Sequence, residues 1–166
     1  MEKMYQELEK ILVCELEVHS SLVETATAFN KSIREDNLPD IQTYTTKHDL
    51  QICQIEKLEE QRVLYCVLIG KKLGIKSKEP RLASLIEQAP LVRKNKLSEI
   101  HMQLKKRIDD LSKLTVSNRI LLENALNVIN NTFSFLQQTQ KKYVPYGSKK
   151  KSNLAYQGHT LINRTV

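Results

Sequence analysis

The chain has 166 residues, 40% of them hydrophobic and 5% aromatic, with no Trp, four Gly and four Pro. That length suits one domain with a sizeable core, and so few turn formers exclude a many-stranded sheet in favour of a few long helices. The net charge of +7 is uneven: residues 1–70 hold seven basic and thirteen acidic side chains, and residues 71–166 hold nineteen and six.

A basic half can attract nucleic acid, anionic lipid or an acidic protein surface, or it can lie against the chain's own acidic half. Cys14, Cys53 and Cys66 cannot all pair within the chain and none forms a CxxC, so buried reduced thiols are expected. The start, "MEKMYQELEK", lacks the basic-then-apolar pattern of a secretory signal. Every apolar run falls short of the ~18 residues of a membrane span, so no membrane insertion is expected.

The first predicted helix runs from Glu2 to Ile33, with Met4, Leu8, Ile11, Val18, Leu22, Ala26, Phe29 and Ile33 at three-four spacing. "REDNLPD" stops it. Asp36 or Asn37 can cap a second helix, and Pro39 is tolerable in that helix's first turn. So short a connection predicts an antiparallel pair. The second helix spans Leu38–Leu73, with Ile41, Tyr44, Ile52, Ile55, Leu58, Tyr65 and Ile69 inward. His48 falls on the same face and reads as a satisfied interior residue. Gly74 suits the position that ends the helix, and "KSKEPRLASLIEQAP" predicts a short helical turn between Pro80 and Pro90.

The third long helix, Leu91 to Gln138, has the clearest pattern. Leu97, Ile100, Leu104, Ile108 and Leu111 continue through Asn118, Leu122, Ala125, Ile129, Thr132 and Leu136, beside a seven-residue repeat of Leu114, Leu121, Val128 and Phe135. These make a wide apolar face of the kind used in bundles and coiled coils. At 1.5 Å per residue this helix reaches roughly 70 Å, against roughly 48 and 54 Å for the first two. Part of its face is therefore expected to lack an intramolecular partner and to act as a binding surface. Asn118 interrupts the seam, a substitution that usually fixes register at a cost in stability.

Little in the chain points to catalysis. "GKKLGIKS" (70–77) is out of register with a P-loop and follows a helix rather than a strand. The four histidines are far apart, without metal-ligand spacing. No enzyme activity, metal or cofactor is expected. "LKKRIDD" and "SKKKS" are basic but lack a nucleic-acid signature, so a solvated charged face is the expected account.

The order of several weak signals resembles the FlgN family of flagellar type III export chaperones. They are "REDNL", "LQICQIEKLEEQR", "KKLG", "NRILLENAL" and finally Tyr146-Gly147, over most of residues 1–147. The resemblance implies a cytoplasmic helical protein that binds the C-terminal segments of hook–filament junction proteins, prevents premature assembly and delivers them to the membrane export apparatus. It also implies that the C-terminal helical region holds the client, while Tyr146 and Gly147 meet the cytoplasmic domain of the export gate. Two features depart from the family pattern: "SKKKS" replaces a second glycine after Tyr-Gly, and the chain is basic overall.

The expected fold is all-α: a long antiparallel helical hairpin with a longer third helix, coiled-coil or bundle-like, over residues 1–140, and a flexible basic tail over 141–166. The expected client groove comprises Leu114, Asn118, Leu121, Leu122, Ala125, Val128, Ile129, Thr132, Phe135 and Leu136, able to take an amphipathic helix by anchors at i, i+3, i+4 and i+7. Pro145 ends the helix and leaves Tyr146 beyond the packed region as an aromatic anchor. The chain is expected to be a monomer or homodimer. Two other readings compete: a structural coiled-coil adaptor, and a basic helical nucleic-acid binder.

Overall fold

The structure is a computed structural model that describes residues 1–77 and 80–142, with side chains to residue 138. It is all-helical among these residues: α1 Glu2–Arg34, α2 Leu38–Lys72, the short α3 Leu82–Glu87, and α4 Leu91–Lys142. The three long helices have 33, 35 and 52 residues, so the third exceeds the others as expected. The chain divides into two compact units, Met1–Val128 and Ile129–Val166. The first holds α1, α2, α3 and α4 as far as Val128; the described part of the second is helical to Lys142.

Backbone chemistry explains the corners of the hairpin. At the end of α1, Asp36 takes a left-handed conformation (φ 52°). The Asn37 N–H then reaches Ser32 O at 3.0 Å, and the Asp36 N–H reaches Ile33 O at 3.3 Å. These two bonds make a Schellman closure, which satisfies carbonyls that a helix end leaves bare. Asn37, one of the two residues expected to cap α2, does so: its side chain accepts from the Asp40 N–H at 3.3 Å. The end of α2 repeats the motif with Gly74 (φ 73°), Ile75 N–H to Gly70 O at 3.0 Å and Gly74 N–H to Lys71 O at 3.3 Å.

Both glycines of "GKKLGIKS" thus have architectural work. Gly74 supplies the left-handed turn, and a Cβ on Gly70 would lie 2.6 Å from Pro80 Cγ.

α1 and α2 are antiparallel, because Ser21 meets Gln51 while Glu15 meets Arg62. α4 runs parallel to α1, since Glu9 meets Arg93 and Lys96 while Asn30 meets Ser117 and Asn118. The main core gathers Tyr5, Leu8 and Leu12 of α1, Cys66 and Ile69 of α2, Leu85 and Ile86 of α3, and Leu97, Ile100 and Leu104 of α4. Tyr5 rather than Met4 is the fully buried residue of that turn, and its hydroxyl donates to Leu85 O at 3.0 Å.

Burial of a phenol without a partner would be costly, so this bond fixes where α3 sits. On α2, Ile69 is buried as expected, whereas Ile41, Tyr44, Ile52, Ile55, Leu58 and Tyr65 are only half-buried.

The acidic and basic halves do meet. Glu9 is flanked by Arg93 Nη1 at 2.7 Å and Lys96 Nζ at 2.6 Å, and Arg93 also pairs with Glu2. Burial alone would push the Glu9 carboxyl up, but hydrogen bonds from Lys96 and Arg93 outweigh it and hold it below its ordinary value. Of the three free cysteines only Cys66 is buried; Cys14 and Cys53 are exposed, contrary to expectation.

Candidate functional site

In the first unit, the α4 residues expected to bind a client divide by burial. Asn118 is only 7% exposed and is used internally. Its amide donates to Ala26 O at 3.1 Å and its carbonyl oxygen accepts from Asn30 Nδ2 at 2.6 Å. It therefore pins α4 to α1, the register role that a polar residue in a seam can take. Leu114, Leu121 and Ala125 are half-buried beside it, while Leu122 and Val128 are exposed.

In the second unit, Ile129, Thr132, Phe135 and Leu136 are all exposed, Phe135 at 65%. The expected stripe omitted Leu126 of the first unit and Phe133 of the second, which are 57% and 61% exposed.

Composition gave a signal that periodicity did not. Residues 124–140, "NALNVINNTFSFLQQTQ", contain no charged side chain. Depletion of charge, with aromatic residues present, characterises the cores of protein interfaces rather than ordinary surface. At 3.6 residues per turn, the apolar positions of 121–136 cover roughly half the helix circumference, wider than a two-helix seam needs.

A cavity of about 390 Å³ lies in the first unit where the three long helices face one another. α1 contributes Thr25, Ala26 and Phe29; α2 contributes Tyr44, Thr45 and His48; α4 contributes Thr115, Asn118, Arg119 and Leu122. His48 is thus not a satisfied interior residue: it is half-exposed at this cavity, with Nδ1 3.8 Å from Asp49.

A second cavity, also about 390 Å³, is lined by Glu15, His19, Glu59, Arg62 and His101 among others. Arg62 Nε donates to the buried Glu15 at 3.2 Å and its Nη2 to the exposed Glu59 at 2.8 Å. "KLEEQR" is therefore not simply an exposed face, because its arginine reaches across to α1. Burial pushes the Glu15 carboxyl up despite Arg62. It also pushes His19 below its usual value against the pull of Glu59, and the His19 Nδ1 is buried without a hydrogen-bond partner. Burial penalises the charged form in both cases.

Among the described residues, no cluster of His, Cys, Asp and Glu could hold a metal ion, and no helix is long and apolar enough to cross a membrane. Tyr146 and Gly147, expected to meet the export gate, lie outside the described residues.

A long helical hairpin with a longer third helix defines an all-α, bundle-like protein. The chain belongs to the FlgN family, whose pattern it matches over residues 1–153. This is a family of cytoplasmic flagellar export chaperones that bind substrates of the flagellar type III export system. Comparison with curated proteins and with solved structures finds no match.

Proposed function

We propose that this chaperone binds the C-terminal segments of hook–filament junction proteins, keeps them from assembling early and hands them to the export gate. The observation that carries the reading is the charge-free stretch of α4 with its exposed apolar side chains. The proposed client-binding residues are Leu114, Asn118, Leu121, Leu122, Ala125 and Val128 in the first unit, and Ile129, Thr132, Phe135 and Leu136 in the second. Asn118 contributes by holding α4 in register on α1 rather than by offering its amide.

An unassembled terminal segment that is amphipathic would order on this surface, spending part of the contact energy on its own folding. Delivery uses Tyr146 and Gly147, and their place within the matched range of residues supports that assignment. Tyrosine is a stiff, amphipathic anchor of the kind found at interface centres. The protein touches the membrane export apparatus only during transfer.

The test uses Val128→Asp and Tyr146→Ala. With thermal unfolding unchanged, Val128→Asp abolishes binding to the client's C-terminal segment, and Tyr146→Ala leaves that binding intact but weakens gate binding and export. Normal client binding by a folded Val128→Asp protein would move the site elsewhere, and unchanged export with Tyr146→Ala would remove that residue from delivery.

A further inference from the structure

The cavity between α1, α2 and α4 has its lining threonine hydroxyls and asparagine amide already engaged. The Thr25 hydroxyl donates to Ser21 O at 3.0 Å, Thr45 to Ile41 O at 2.8 Å and Thr115 to Leu111 O at 2.9 Å. The Asn118 amide is taken up by Ala26 and Asn30. These groups therefore demand nothing from an occupant, and the walls between them are Ala26, Phe29, Leu122 and the rings of Tyr44 and His48.

Volume limits what fits. An apolar cavity of about 150 Å³ accommodates one benzene; this one, at about 390 Å³, has room for two apolar side chains. Arg119 puts one cationic side chain on the rim. Its Nε lies 3.6 Å from Glu123, and both side chains are mostly exposed. An ion pair that long and that solvated contributes little, so Arg119 can exchange Glu123 for a carboxylate from outside.

We propose that this cavity is an anchor pocket for an amphipathic helix of the exported client. It receives two apolar side chains one turn apart, and Arg119 receives a carboxylate from the polar flank of that helix. The proposal rests on the client-binding reading above. To it the cavity adds walls from α1 and α2, a two-side-chain capacity, and a preference for an acidic residue beside the apolar pair.

Thr45→Phe and Thr115→Phe test it by filling the cavity from opposite walls. Threonine and phenylalanine have similar helix propensity, and both hydroxyls are spent only on their own helices. The full chain is titrated with a synthetic C-terminal peptide of a hook–filament junction protein, and each variant's Tm is measured. The expected result is an unchanged Tm and at least about a tenfold loss of affinity in each variant. Arg119→Glu is expected to weaken binding severalfold, with recovery when the peptide's acidic residue is changed to lysine.

If the unaltered chain does not bind the peptide, the client reading fails and the pocket fails with it. If it binds, and folded Thr45→Phe and Thr115→Phe proteins bind equally well, the pocket alone is overturned. No change with Arg119→Glu overturns the carboxylate preference.

Discussion

The region around Leu8, Ile69 and Leu97 and the region around Ala26, Tyr44 and Asn118 use the same three long helices and are held by different means. In the first, side chains from four helices close into one apolar cluster, and its main buried polar group, the Tyr5 hydroxyl, is satisfied by α3. In the second, α3 has no counterpart, and the helices are held by Gln51 to Ser21 and by Asn118 to Ala26 and Asn30. The first region supplies cohesion. The second supplies alignment, because amides that must meet particular partners fix register where apolar surfaces would tolerate sliding. Space left between aligned helices remains available to another molecule.

Leu97→Ala separates the two regions most sharply. It empties a site with no exposure and is expected to destabilise the protein by about 2–5 kcal/mol in urea unfolding, as buried Leu→Ala changes do. Asn118→Ala removes the bonds to Ala26 O and from Asn30 Nδ2, leaving the Asn30 amide only Ser117 Oγ at 3.3 Å, and is expected to cost about 1–3 kcal/mol for the two bonds. It should also increase hydrogen exchange at the α1 end near Asn30 more than near Tyr5. Equal exchange at both ends would show that the division between the regions is too sharp.

The next effect is set by pH. Burial disfavours the charged form of His19 and outweighs the pull of Glu59, so its folded-state value lies below the ordinary 6.5. A depressed value stabilises the fold above the unfolded value and gives that stability up as pH falls below about 6.5. Tm is therefore expected to fall as pH drops from 7 towards 5, and His19→Gln should flatten the slope within that window. The same slope in the variant would assign the effect elsewhere. The smallest effect is a gain: Asp36→Gly relieves a left-handed residue and is expected to stabilise by about 0.5–1 kcal/mol, read as a raised urea midpoint.

Periodicity and turn chemistry made much of the fold legible. The helix starts at Glu2, Leu38 and Leu91 agree with expectation, and Gly74 ends α2 as its position implied. Burial was harder to read. Glu15 and Gln51 look like surface residues until Arg62 and Ser21 arrive from the other arm of the hairpin. Tyr5 and Leu12 face inward because α3 and the start of α4 cover that side of α1, which no count along α1 alone reveals. The candidate site was half legible. The stripe through Leu122, Ile129 and Leu136 was visible, but fitting one stripe hid Leu126 and Phe133, since a search for amphipathicity assumes that the opposite side is charged.

The absence of charge from residue 124 to residue 140 has a kinetic consequence. Charged surfaces steer partners from a distance and lose that advantage as salt screens them beyond about 8–10 Å. Contacts made by the uncharged stretch itself gain nothing from steering and lose nothing to salt, so salt acts on client binding through charges elsewhere, Arg119 among them. Differences among clients in these uncharged contacts would appear as residence time. With Arg119 neutralised in Arg119→Gln, dissociation rates measured across a salt series should therefore differ between clients and change little within one.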